Sequence, residues 1–273
     1  MTTDKYYYKK LYKHTPVLKY ILTTLGYTVY FGASICFLSL FPLILIPVTI
    51  SGKFRHFIFV KVYRSFIFFL TRIYLPFVRL YKIVEDLSEA AVLSNTPAIY
   101  IANHRSQLDG PIALSRLKKT GVLMKSSYAR SPLFASFVKH ANFISVDSSS
   151  LDLMNTALQR CKELLEQGEN LLVFPEGSRS RSARLLPFKD LAFRLSIETK
   201  VPIIPIVIHT DFPIMAKIRN SLFPPAVMNL TIRSLPPLYP KPNERSTEFS
   251  DRIRKIMIDE IRKLDHDTYW EHL

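Results

Sequence analysis

Hydrophobic positions along the chain change their spacing twice. From Tyr20 to Gly52 no charged side chain occurs, and Phe37-Leu38-Ser39-Leu40-Phe41-Pro42-Leu43-Ile44-Leu45-Ile46-Pro47 is almost wholly apolar. A straight helix over that run would reach about 50 Å, against a hydrocarbon core of about 30 Å, whereas two complete spans need about 40 residues. One tilted span or a bent re-entrant hairpin fits the length, with Pro42 and Pro47 near the bend. Over 53–82 the basic residues Lys53, Lys61, Arg64, Arg72, Arg79 and Lys82 gather in one sector of a helical wheel, with Arg55 outside it. Phe57, Phe59, Phe66, Phe69 and Leu70 lie largely outside that sector, which predicts a basic amphipathic helix at a membrane interface, broken or kinked at Pro76. The alternative for this segment is a core helix with a solvated basic stripe.

Beyond Ile83 short apolar runs alternate with amphipathic stretches. Strands are predicted at 98–102, 122–125, 142–146, 171–174, 202–208 and 229–232. Leu151, Met154, Leu158, Cys161 and Leu165 recur at helical spacing, and Gly168 stands where a helix C-cap belongs. Phe249, Ile253, Ile256, Met257, Ile261 and Leu264 form a second such stripe, and Leu235–Pro242 reads as an extended connector. The alternation predicts an α/β domain whose central, mostly parallel sheet is flanked by helices.

Composition narrows the class. With 273 residues, 48% of them hydrophobic and only seven glycines, the chain is neither disordered nor collagen-like. Two cysteines, Cys36 and Cys161, make neither a disulfide framework nor a Cys-based zinc site. The net charge of +15 is concentrated in residues 1–83, which hold twelve Lys/Arg, one acid (Asp4) and 20 of the 34 aromatics. Cations beside aromatics and long apolar runs suit anionic headgroups and acyl chains, so the expected partner is a membrane and not nucleic acid. Lys5, Lys9, Lys10, Lys13 and Lys19 precede the apolar run, and Lys53, Arg55, Lys61 and Arg64 follow it. The positive-inside rule then draws both ends to one side, which favours the hairpin and the cytoplasmic face, of the inner membrane in a bacterium. The division expected is a membrane-docking helical segment, 1–83, and an α/β domain, 84–273.

Gly-rich phosphate loops, Gly-x-Ser-x-Gly, His-Glu-x-x-His and Cys-x-x-Cys are all absent. What remains is polar clusters just after buried strands, where open α/β sheets keep their sites. Asn103-His104-Arg105-Ser106-Gln107-Leu108-Asp109-Gly110-Pro111 is the first. His104 and Asp109 meet only if the chain turns between them, and Gly110-Pro111 opening a helix would supply the turn. A carboxylate on one imidazole nitrogen leaves the other as a base. The spacing alone equally admits Asp109 as a helix cap and His104 as a loop residue. Phe174-Pro175-Glu176-Gly177-Ser178-Arg179-Ser180-Arg181 ends another buried strand with guanidinium groups suited to an anion. Val201-Pro202-Ile203-Ile204-Pro205-Ile206 alone is a proline-edged strand.

In order and spacing these stretches resemble the glycerolipid acyltransferase family typified by lysophosphatidic acid acyltransferase. His104-x-x-x-x-Asp109 is similar to its first motif, 174–180 to its third and 201–206 to its fourth, and the resemblance covers about residues 80–210. It implies direct transfer of a fatty acyl group from acyl-CoA or acyl carrier protein to a lyso-lipid hydroxyl. His104 would act as base and Asp109 would stabilise the imidazolium, with no cofactor and no metal. Lys125, Glu176, Gly177, Ser178, Arg179 and Arg181 would bind substrate. The second motif departs from the family: Ser148 stands in the place of an arginine proposed to hold the acceptor phosphate, and Leu191 replaces a glycine after the third motif. Lys125, Arg130, Arg179 or Arg181 would then supply the missing cation. The alternatives are acylation of another lyso-lipid, such as an amino-acid lipid, and a catalytically silent membrane-binding module. His209-Thr210-Asp211 and His140 are lesser candidates, and His14, His56, His266 and His272 read as interfacial or surface residues.

Overall fold

The computed structural model describes residues 17–45, 52–78, 80–88, 96–131, 141–147, 150–182, 184–218, 221–224, 227–266, 268 and 270, with backbone only at 42–45 and 52–58. His14, Pro47, Arg79, His140, Ser148, His272 and the lysines before residue 17 lie outside these, as do the side chains of Lys53, Arg55, His56 and Phe57.

The described residues open with two long helices, α1 (Val17–Leu45) and α2 (Gly52–Phe68). They lie antiparallel: the Phe37 and Phe66 rings stack at 4.1 Å, Phe41 meets Phe59 at 5.3 Å, and the Tyr74 hydroxyl donates to the Leu25 carbonyl. The hairpin is therefore larger than the sequence predicts. Residues 17–45 make one helix that carries Pro42 within it, and the returning arm is the basic segment itself. The break also falls earlier than Pro76. A π-helical stretch (Phe69–Tyr74) precedes the short helix α3 (Leu75–Phe77), and the Leu75 N–H reaches back to the Leu70 carbonyl. Widening this turn relieves the clash between the Pro76 ring and the carbonyl four residues before it.

Among the described residues seven strands follow: β1 (Tyr81–Asp86), β2 (Ile99–Ala102), β3 (Thr120–Lys125), β4 (Phe143–Val146), β5 (Asn170–Val173), β6 (Ile203–Thr210) and β7 (Met228–Ser234). Between and after them run α4 (Asp109–Leu114), α5 (Ser126–Ala129), α6 (Leu151–Glu166), α7 (Leu191–Thr199) and α8 (Ser246–Asp265). The sheet order is β1-β7-β6-β2-β5-β3-β4. Strands β6, β2, β5, β3 and β4 are parallel, β7 runs antiparallel to β6, and β1 pairs parallel with β7. The six predicted strands are all present. β1 is the addition, and the boundary expected after Ile83 falls inside it.

Side chains alternate between two cores, as the strand period requires. Tyr100 and Ala102 face the core that holds α4 residues and Tyr27, Tyr30, Phe59, Ile67 and Leu70 of the hairpin. Ile99 and Ile101 face the other, built from α6, α7 and α8. Gly168 ends α6 with φ +77°, its N–H bonded to the Leu165 carbonyl, as predicted.

The basic stripe does not all face outward. Arg64 donates to the Leu114 carbonyl at the end of α4, Arg72 pairs with Glu85 at 2.8 Å, and Lys82 belongs to β1. Apolar side chains take the outward face instead: Val17, Leu18, Ile21, Leu25, Ile35 and Leu40 on α1, and Phe68, Phe69, Ile73 and Phe77 on the returning arm. Val17–Phe41 is long and apolar enough to cross a membrane by length and composition.

Candidate active site

Parallel pairing places the carboxyl ends of β2, β5 and β6 side by side, with Ile101 opposite Val173 and Ala102 opposite Ile206. The first residue past β2, Asn103, is fully buried and extends the β2–β6 ladder with its own amide. Its Oδ1 accepts from the Ile208 N–H at 2.8 Å and its Nδ2 donates to the Ile208 carbonyl at 2.9 Å. A buried amide satisfied on both sides fixes where the next residue emerges.

That residue is His104, and the loop after β5 holds its backbone on both sides. Its N–H donates to Glu176 Oε1 at 2.6 Å, and its carbonyl accepts from the Ser180 N–H at 2.8 Å. The Phe174 ring lies 4.6 Å from the imidazole. The chain then turns, and Asp109 comes back as the first residue of α4. Its Oδ2 accepts from the backbone N–H groups of Arg105 (2.8 Å) and Ser106 (2.7 Å) and lies 3.0 Å from His104 Nδ1. The structural and chemical readings of Asp109 thus coincide in one oxygen, which ties the turn and orients the ring. The Asp109 side chain is 3% exposed and that of His104 is 23% exposed, so the pair is open to substrate from the imidazole side alone.

Glu176 is buried and joins the two motifs, because its second oxygen accepts from the Leu186 N–H at 2.9 Å. Burial pushes its carboxyl up to about 7, and hydrogen bonds from the Leu186 and His104 N–H groups limit the rise. Gly177 follows with φ +64°, and a Cβ there would stand 2.9 Å from Lys189 Cε. The turn that aims Glu176 back at His104 thus takes a left-handed backbone conformation that favours glycine, with the flexible end of Lys189 packed where a Cβ would stand.

Of the other predicted residues, half-buried Arg179 points toward the same turn and donates to the Met215 carbonyl at 3.0 Å, which also accepts from the Gln107 N–H. Ser178 is half-buried beside it, and Arg181 is exposed. Lys125 is exposed at the end of β3, two strands away from β2 on the same sheet edge. Near it, Asp147 accepts from the Ser126 hydroxyl at 2.8 Å and pairs with Arg130 at 3.5 Å. His209 does not pair with Asp211: its Nε2 meets Asp265 Oδ1 at 3.1 Å, while Asp211 accepts from Asn229. Asn103 and Asp265 escape the sequence reading. The first leaves a signal, a lone amide at the end of an apolar strand that must find a partner. The second leaves none, because 160 positions separate it from its partner Arg105.

Residues 82–209 match the model of the acyltransferase family. A chloroplast 1-acyl-sn-glycerol-3-phosphate acyltransferase of Arabidopsis thaliana is 32% identical over 174 residues, 64% of this chain and 46% of the plant protein. The enzyme of the same name from Saccharomyces cerevisiae is 30% identical over 184 residues, 64% of this chain and 58% of the yeast protein. The chain thus spans about half the length of the curated relatives it matches. In three dimensions it resembles the crystal structure of the 1-acyl-sn-glycerophosphate acyltransferase of Thermotoga maritima, with a TM-score of 0.67 at 17% identity. That match covers 91% of this chain and 96% of the other, and it shows the fold to be the same.

Proposed function

We propose, from the match of residues 82–209 to the acyltransferase family, that the protein transfers a fatty acyl group from an acyl thioester to the hydroxyl of a lysophosphatidic acid-like acceptor at a membrane surface. The observation that carries this reading is the 3.0 Å contact between His104 Nδ1 and Asp109 Oδ2. With Nδ1 committed to the carboxylate, Nε2 is left to take a proton. The acceptor hydroxyl gives its proton to Nε2 as its oxygen attacks the thioester carbonyl. The C–O bond forms, the C–S bond breaks, and the imidazolium returns the proton to the departing thiolate. Asp109 stabilises the imidazolium in between. A thiol has a pKa near 8.5 by analogy with cysteine, so its thiolate leaves without a separate acid. Acyl-CoA and acyl carrier protein both present this chemistry.

The outward apolar face of the helical hairpin supports work at a bilayer, because contiguous exposed patches of this kind mark membrane or protein contacts. The partners are accordingly membrane lipids and the acyl carrier, and the positive-inside bias argues for the cytoplasmic face. Arg179 is the cation best placed for an acceptor phosphate, since its guanidinium lies by the turn that carries His104.

One observation favours a second acceptor. Next to the position of the family's phosphate-holding arginine stands Asp147, whose carboxylate pairs with Arg130 at 3.5 Å and so offsets a cation that a phosphate monoester would draw on. The two readings separate in one experiment. Vesicles containing the purified protein receive a long-chain acyl thioester and, in turn, lysophosphatidic acid, a zwitterionic lyso-phospholipid and a neutral monoacylglycerol, and products are identified by mass. Phosphatidic acid as the main product supports the first reading. A zwitterionic product supports the second, and no acylated product from any acceptor rejects both.

A further inference from the structure

The turn between His104 and Asp109 is gripped from behind by a residue of α8. Arg105 sends its guanidinium into the protein, where Nη1 and Nη2 donate to Asp265 Oδ1 and Oδ2 at 2.7 and 2.9 Å. Both side chains are nearly enclosed, at 5% and 13% exposure. The guanidinium lies over the Trp270 ring at 4.3 Å, and the indole N–H donates to the Thr210 carbonyl at 2.6 Å. His209 Nε2 meets Asp265 Oδ1, the oxygen that also accepts from Arg105 Nη1. Burial alone would raise the Asp265 carboxyl, but hydrogen bonds from Arg105 and His209 hold it below the usual carboxylate range. The cluster is thus a fork of two parallel charge-assisted bonds, closed by an aromatic face.

The backbone of the same Arg105 donates to Asp109 Oδ2 at 2.8 Å, and the next N–H, of Ser106, donates at 2.7 Å. A shift of Arg105 therefore moves the oxygen that orients His104. The other restraints on this turn come from the neighbouring β5 and β6 regions: Glu176 and Ser180 on His104, Ile208 on Asn103, and Met215 on Gln107. Asp265 alone among these restraints comes from α8, which lies beyond residues 82–209. We propose that Asp265 is a positioning residue for the reaction, which sets the His104–Asp109 geometry by fixing Arg105. The inference rests on the acyltransferase reading above. It adds that the end of α8 and Trp270 are part of what makes the site competent, outside the region that the family motifs mark.

The test is kcat and KM for both substrates, measured on the full chain in vesicles at a temperature where every variant is folded by circular dichroism. Asp265→Ala frees Arg105 from its anchor, and misplacement of a catalytic group by about 1 Å costs about a hundredfold in rate. The expected result is a fall in kcat of at least about tenfold, with both KM values within about twofold of wild type. Met257→Ala is the control for stability. Met257 is fully buried on the same helix and makes no part of the cluster, so its loss should lower the melting temperature while leaving kcat near wild type. The paired variant Arg105→Leu/Asp265→Leu removes both charges and so avoids burying one unpaired. It should fold and remain slow. Equal losses of kcat in Asp265→Ala and Met257→Ala would overturn the proposal, as would full kcat in either Asp265→Ala or the paired variant. His104→Ala is run alongside: should it stay active, the base assignment itself fails, whereas its inactivity beside a fully active Asp265→Ala defeats only the positioning role.

Discussion

Replacing Glu176 by Gln gives an effect whose sign reverses ordinary expectation. Glu176 is 5% exposed, and its carboxyl is held up to about 7 against about 4.5 in an unfolded chain. Between those values the native state keeps a proton that the unfolded state has lost, so stability falls as pH rises from about 4.5 to about 7. At about 1.36 kcal/mol per unit, the full cost is about 3 kcal/mol and is complete above about pH 7. A glutamine side chain in this place would have the shape of the protonated acid. Its Oε1 can accept from one of the two backbone donors, His104 N–H and Leu186 N–H, but its NH2 group is itself a donor and leaves the other N–H without an acceptor, a cost of about 1–3 kcal/mol that does not change with pH. Between pH 5 and pH 8 the difference in stability should therefore shift by about 3 kcal/mol in favour of Glu176→Gln, whatever the orphaned N–H costs the variant at both pH values. For a chain of this size that is about 6–12 °C in Tm. Thermal unfolding of detergent-solubilised protein, followed by circular dichroism at both pH values, measures the gap. A difference that stays constant between pH 5 and pH 8, or that moves in favour of wild type as pH rises, refutes the reasoning.

Arg179→Ala should raise KM for a phosphate-bearing acceptor about tenfold and leave KM for the acyl donor little changed, because one charge-assisted contact is lost; an equal rise for both substrates would remove Arg179 from the headgroup site. Gly177→Ala places a side chain at φ +64° against Lys189 and should cost about 1–2 kcal/mol of stability, read from denaturant midpoints. Phe69→Glu and Phe77→Glu lie on the outward face of the hairpin, with 50% and 81% exposure, so both should reduce flotation with anionic vesicles while the melting temperature holds. Unaltered flotation in the double variant would place the membrane contact elsewhere.

Much of this architecture is legible in the sequence because it rests on local periodicity. The buried parallel strands are short apolar runs, and α6 and α8 carry regular stripes closed by Gly168 or by polar turns. β1 is hidden because Tyr81–Asp86 interleaves apolar and charged residues, and Lys82 falls within the basic helical sector that precedes it. The inward face of the hairpin's returning arm is hidden for a related reason. Phe59, Ile67 and Leu70 read equally well as lipid-facing or core residues, and only packing against Tyr27, Tyr30 and α4 decides that they face inward. At the site, His104, Asp109, Glu176 and Gly177 are legible as motifs, since each sits within a few residues of a strand end. What those motifs do not reveal is that the carboxylate of Glu176 is spent on backbone N–H groups, or that Arg105 finds its partner on α8.

The most direct measurement is thiol release from an acyl thioester, coupled to acylation of lysophosphatidic acid in vesicles, by wild type, His104→Ala and Asp109→Asn. Removal of a general base costs about two to four powers of ten in rate. His104→Ala should lose about a thousandfold in kcat and Asp109→Asn should be severely impaired, with both variants folded and still bound to vesicles. If either variant, shown to be folded and vesicle-bound, keeps more than about a tenth of the wild-type kcat, the assignment of His104 and Asp109 as the base and its orienting carboxylate is contradicted.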